Sequence, residues 1–134
     1  MANKVKLNLS LTGNLAGQSD PVGINIADWE LTTDNPSLTS ATRNTVNGSP
    51  FEILGTSAAP AIGGYTHYVY VRNVGANGDL ATGGKVILTN GAGANIAHLN
   101  IGDAMLIPLI AQAGLKAVYD ASVTQYVYAY LKRV

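Results

Sequence analysis

The sequence predicts an all-β chain: one antiparallel β-sandwich domain over residues 1–134. Three observations carry this. Apolar and polar residues alternate with period two at the start of the chain. Short strand-like runs then recur at about the 8–12-residue spacing of sandwiches and barrels. Helical periodicity is nearly missing. The length of 134 residues suits one ordinary domain, and folding on that scale buries roughly two-thirds of the unfolded surface.

The first segment alternates cleanly. Val5, Leu7, Leu9 and Leu11 fall on one side, and Lys4, Lys6, Asn8, Ser10 and Thr12 on the other. This is the pattern of a half-buried strand. Gly13 and Asn14 open a turn. In residues 22–32, Ile24 and Ile26 share a phase, but Trp29 and Leu31 take the opposite one. A β-bulge near Ala27 and Asp28 explains the slip, since one extra residue flips every following side chain.

Residues 33–64 read as an irregular contact loop. Thr, Ser, Asn, Pro and Gly dominate, with Pro36, Pro50 and Pro60 as breakers and a short strand over residues 51–54. Long loops inside compact domains are usually functional or mobile. From Tyr65 the pattern tightens. Strands are expected at 65–72, 85–89, 96–100, 104–110, 115–120 and 123–131, with a Gly/Asn turn region at 73–84. The apolar run 104–110 suggests a strand buried on both faces. Residues 109–121 are the one contender for a helix, weakened by Gly114.

Composition narrows the function. Charged residues make up 12% of the chain and the formal net charge is zero, against a usual charged share of about 25%. A neutral, charge-poor surface resists association poorly, which favours burial against other subunits. No basic stripe for nucleic acid is visible. No run reaches the ~20 apolar residues of a membrane span. The alternation after Lys4 leaves no continuous apolar stretch for a signal peptide. Cysteine is absent, so disulfides and thiolate zinc sites are excluded.

Candidate chemistry is sparse, and no catalytic residue, cofactor site or metal site is assigned. Gly91 and Gly93 follow a strand, but Ile96 stands where a dinucleotide fingerprint needs its third glycine, and the next segment reads as strand. His67 and His98 are the only imidazoles. Asp103 lies near His98 in sequence, but no G-x-S-x-G motif accompanies them. Asp28 and Glu30 suit an edge strand better than a glycosidase pair. Asn77-Gly78-Asp79 lacks the alternating acids of a calcium loop.

The tyrosines stand out. Tyr126, Tyr128 and Tyr130 share one strand face, and Tyr68 and Tyr70 share a face on another strand. A cross-strand ladder between them, within the core, is the first reading. A subunit interface through Tyr68, Tyr70, Tyr126, Tyr128 and Tyr130 is the second. A platform for sugar rings is the third.

The stretch "YVYVRNVG…GKVILTN…AHLNIGDAMLIPL…GLKAVYDASVTQYVYAYLKRV", from Tyr68 onward, resembles the C-terminal half of small tailed-bacteriophage virion proteins. Those proteins decorate or cement capsids with jelly-roll-like β-sandwiches. The likeness is one of strands and turns, covers about half the chain, and carries over no catalytic residues. It implies a jelly-roll-like sandwich and a non-enzymatic structural role as a capsid decoration or cement protein. The major capsid protein would be its partner, a homo-oligomer, with a trimer favoured, its working form, and the virion surface its location after synthesis in the host cytoplasm. The alternatives are a head fibre, spike or tail component, or a carbohydrate-binding module.

Overall fold

The computed structural model describes residues 3–13, 22–45, 49–54, 67–109, 114–119 and 122–133. Among them run nine β-strands and no helix: β1 (Asn3–Gly13), β2 (Val22–Asn44), β3 (Phe51–Leu54), β4 (His67–Gly75), β5 (Val86–Thr89), β6 (Asn95–Leu99), β7 (Ala104–Leu109), β8 (Leu115–Tyr119) and β9 (Gln125–Arg133). Contacts divide the chain into two compact units, Met1–Thr33 and Asp34–Val134.

The first unit is a ribbon of β1 paired antiparallel with the start of β2. Its register runs from Asn3 opposite Thr33 to Gly13 opposite Val22. The expected bulge is present. Leu7 pairs with Trp29 and Leu9 with Ile26, so Ala27 and Asp28 together oppose Asn8. The extra residue keeps Trp29 in phase with Leu7 despite the slip in sequence. Lys4, Lys6, Asn8 and Ser10 are exposed, while Val5 and Leu7 are half-buried.

The second unit is a two-sheet sandwich. One sheet has the order β2-β9-β4-β7 and the other β3-β8-β5-β6. The neighbours β2 with β9, β3 with β8, β4 with β7 and β5 with β6 are nested pairs, as in one long hairpin wrapped over itself. This is the jelly-roll arrangement of eight strands in two sheets. The fold class read from the sequence therefore holds.

Period two sets the core. Along β4, Val69 and Val71 are fully buried and face Val86 and Leu88 of β5, Leu99 of β6, and Leu115 and Ala117 of β8 within one apolar cluster. Ile53 and Leu54 of β3, Leu109 of β7, and Tyr126 and Tyr128 of β9 complete it. Fully burying a side chain of this size contributes roughly 1.5–3 kcal/mol.

Two expectations are corrected. Residues 33–44 are not irregular loop: β2 continues through Asn44. Pairing decides strand character here more than composition. Pro36 lies just beyond Thr33, the last residue paired with β1, so it removes no N–H from that ladder. Residues 51–54 are strand as expected, and residues 46–48 and 55–66 lie outside the described residues. The strand expected at 115–120 is present over Leu115–Tyr119, so the weakened helix contender is not helix among its described residues. Finally, β7 is not buried on both faces. It is the outer strand of its sheet, with Ala104, Leu106 and Pro108 exposed and Met105 and Ile107 turned to the core.

Candidate functional site

The register of β4 and β9 resolves the tyrosines. Val69 pairs with Tyr130, Val71 with Tyr128 and Asn73 with Tyr126. Those three tyrosines therefore share the core-facing side of the sheet. Tyr126 is 1% and Tyr128 7% exposed, and their rings sit 5.9 Å apart at a tilt, an arrangement that favours aromatic pairs. Burial pushes the Tyr126 phenol up to about 12, although Arg43 acts in the opposite direction. Burial also raises Tyr130, which is half-buried.

Tyr68 and Tyr70 point the other way. They pair with Leu131 and Ala129 of β9, so no tyrosine ladder runs between the two strands. The expected ladder is replaced by a core stack on one side and two outward-facing tyrosines on the other. The core accounts for Tyr126 and Tyr128, which leaves neither of them surface for a partner or a sugar. Tyr70 is half-buried and Tyr68 buried.

That outward side is unusually apolar. β4 contributes Tyr68, Tyr70 and Arg72; β7 places Pro108, Leu106 and Ala104 opposite them. On the other flank, β9 places Leu131, Ala129 and Val127. Arg72 is the one charged residue among these nine positions. Leu106 is 39% exposed. The outer side of the other sheet is mixed by comparison, with Glu52 opposite Lys116 across β3 and β8 and the exposed His98 on β6.

One end of the sandwich is fastened by a buried polar network that sequence reading missed. Asn73 is fully buried. Its side-chain amide donates to the carbonyls of Gly84 at 2.9 Å and Leu99 at 3.0 Å. Its side-chain oxygen accepts from the Gly75 amide at 3.0 Å and the Thr124 hydroxyl at 2.8 Å. Thr124 in turn donates its backbone N–H to the Thr45 hydroxyl, and Thr45 returns one to the Thr124 carbonyl. All four hydrogen-bonding positions of the Asn73 amide are thus filled. The phase of β4 was the available signal, since Asn73 continues the inward series of Val69 and Val71. Gly84 must be glycine for close approach: a Cβ there would stand 2.5 Å from the Ser122 carbonyl oxygen.

The acids flagged from the sequence work in turns. Asp79 closes the Asn77-Gly78 hairpin turn and accepts from the Ala81 amide and the Thr82 hydroxyl. Positive φ at both Asn77 and Gly78 suits the tight turn that matches strand twist. The Asp103 carboxylate accepts from the Asn100 amide. Glu30 pairs with Lys4 across the ribbon at 2.6 Å. Asn90 and Gly93 form a turn into β6, with no helix after the glycines. His67 is fully buried on β4 and His98 lies exposed on β6 of the other sheet. The fold does not bring the two imidazoles onto one surface. Among the described residues, no group of three or more His, Asp or Glu side chains stands close enough to hold a metal ion.

A small cleft lies where β2 ends and β3 begins. Arg43 and Phe51 line it, with Thr45 and Tyr126 behind. The Arg43 guanidinium sits 3.7 Å over the Phe51 ring, and Phe51 stacks at 5.7 Å on Tyr128. Its volume of about 70 Å³ falls well short of the ~300 Å³ at which small-molecule sites begin. The cation–π contact fastens the strand edge. No protein-family model matches the chain, and no curated protein matches it in sequence.

Proposed function

We propose that the chain is a non-enzymatic structural protein of a bacteriophage virion, one that binds the outer capsid surface and reinforces the lattice. The observation that carries the reading is the agreement between two independent patterns. The segments that resemble capsid decoration proteins fall on β4 to β9, and those strands belong to an eight-strand jelly roll of the kind the resemblance implies. The flagged carboxylates of Asp79 and Asp103 serve turns, which fits a structural role. The partner is the major capsid protein, and the working form is a homo-oligomer, with a trimer favoured. The virion surface is its location, after synthesis in the host cytoplasm.

The mechanism is mass action. A subunit that binds only the assembled lattice stabilises that lattice. Individual polar contacts contribute about 1 kcal/mol each, and multivalency across an oligomer multiplies their effect. The test is add-back of the purified protein to particles that lack it. Saturable binding in fixed stoichiometry, with genome loss shifted to higher temperature, is the expected result. No binding and unchanged robustness would reject the proposal.

A further inference from the structure

We infer that the cleft between the end of β2 and the start of β3 is a carboxylate pocket, which takes a single Asp or Glu side chain from the surface of a partner protein. The inference goes beyond the proposed function and does not depend on a capsid.

The cleft is built around one held cation. Arg43 is exposed near the end of β2. Its guanidinium sits 3.7 Å over the Phe51 ring, too close for an N–H to point down into the ring, so it rests on the ring by its face. Phe51 is half-buried, packs against the core and stacks at 5.7 Å on the buried Tyr128. The sandwich itself thus fixes the platform under the guanidinium. An arginine held by its face keeps the N–H donors along its edge free, in the fork that matches a carboxylate. It has also lost side-chain freedom before a ligand arrives, which lowers the entropy cost of binding.

That charge is unmatched. Among the described residues Arg43 pairs with no carboxylate; the ion pair there is Lys4 with Glu30. Arg43 is the only charged residue lining the cleft, beside Asn44, Thr45, Ser49 and Tyr126. Burial keeps the Tyr126 phenol protonated, up to about 12, so it brings no competing anion. One fixed positive charge in a neutral cleft suits a monoanion. A phosphate group carries about two negative charges near neutral pH and calls for more than one cation.

Size sets the ligand. The cleft has a volume of about 70 Å³. A single water occupies roughly 10–15 Å³ of such space, so room exists for about five. A Glu side chain beyond Cα has about five non-hydrogen atoms, and an Asp side chain is slightly smaller. A free acid that small has too few atoms to bind tightly. A side chain borne by a partner gains from the contacts its own chain makes outside the cleft. The occupant is therefore protein-borne. The cleft also lies within residues 33–64, the stretch whose sequence reads as a contact segment.

The test uses the full chain, isotope-labelled, and follows the Arg43 side-chain N–H by NMR at neutral pH and constant ionic strength in chloride. Propionate is a Glu side chain cut off at Cβ, and it should shift that signal saturably. Propionamide has the same shape without the charge and should bind about tenfold more weakly, since charge-assisted hydrogen bonds are the stronger kind. The peptide acetyl-Gly-Gly-Glu-Gly-Gly-amide should bind at least as tightly as propionate, and its Gln counterpart several-fold more weakly. Arg43→Gln should abolish the saturable response. Arg43→Lys, which keeps the charge and loses the fork, should weaken it several-fold. Arg43 is exposed, so far-UV spectra of both variants should match wild type; the wild-type comparison of propionate with propionamide decides the question even where a variant folds poorly. Equal responses to those two probes, or a response unchanged in folded Arg43→Gln, would overturn the inference and leave a water-filled dent. Inorganic phosphate binding several-fold more tightly than propionate would overturn the carboxylate assignment. Propionate binding without peptide binding would overturn the protein-borne occupant.

Discussion

At the scale of single residues, the side chains with most at stake are polar and buried. Through four side-chain hydrogen bonds Asn73 joins β4 to the segment before β5, to the last residue of β6 and to the segment before β9, and closes on Gly75 of its own strand. Asn73→Ala would strip two carbonyls of a donor, and one amide and one hydroxyl of an acceptor. Each buried group left unsatisfied costs about 1–3 kcal/mol. Partial hydration through the opened space reduces the sum, so a loss of about 3–4 kcal/mol is expected. Thr124→Val removes one of the four bonds and leaves Gly75 paired, so about 1–2 kcal/mol is expected. Urea titration at constant m-value checks both figures and their order. Equal effects from the two substitutions would mean that Asn73 acts through Thr124 alone.

At the scale of elements, the bulge in β2 is the device that lets an out-of-phase sequence make an in-phase ribbon. Ala27 and Asp28 together face Asn8. Deleting Ala27 restores one-to-one pairing and keeps Trp29 opposite Leu7, so the ribbon should survive. Deleting Glu30 instead carries Leu31 toward the side of Lys4 and Lys6 and removes the Lys4–Glu30 pair. Hydrogen exchange along β1 separates the two. Protection is expected to persist in the first deletion and to fall in the second. Strong alternation made β1, β4 and the bulge legible in the sequence, because a one-residue slip has an unmistakable signature. The second half of β2 was not legible, since Thr, Ser, Asn and Pro there carry no period. Its strand character comes from its place beside β9. β7 misled for another reason. An apolar run reads as burial on both faces, but here the outer side is apolar and uncovered within one chain. The tyrosine parity was legible; which parity faced the core was not, because Tyr suits a core, an interface and a surface equally.

At the scale of the whole molecule, the division between ribbon and sandwich has a consequence for folding. Every member of the apolar core, from Ala41 to Tyr130, lies in the unit Asp34–Val134. So does the whole Asn73–Thr124–Thr45 network. The strands that pair as nested neighbours are all represented there, with β2 contributing its second half. Removing residues 1–33 should therefore leave a sandwich that melts cooperatively with a β-type far-UV spectrum. The same truncation removes Leu9 and Trp29, the exposed apolar residues of the ribbon. Light scattering should then report the mass of a single shortened chain at concentrations where the proposed oligomer of the full chain forms. Stability and assembly would separate along the boundary between the two units. A truncated chain that is unfolded would mean that β1 supports the sandwich directly. One that is folded and still oligomeric would move the subunit contact away from the ribbon. A folded monomer would place the physical requirement for assembly in the first quarter of the chain.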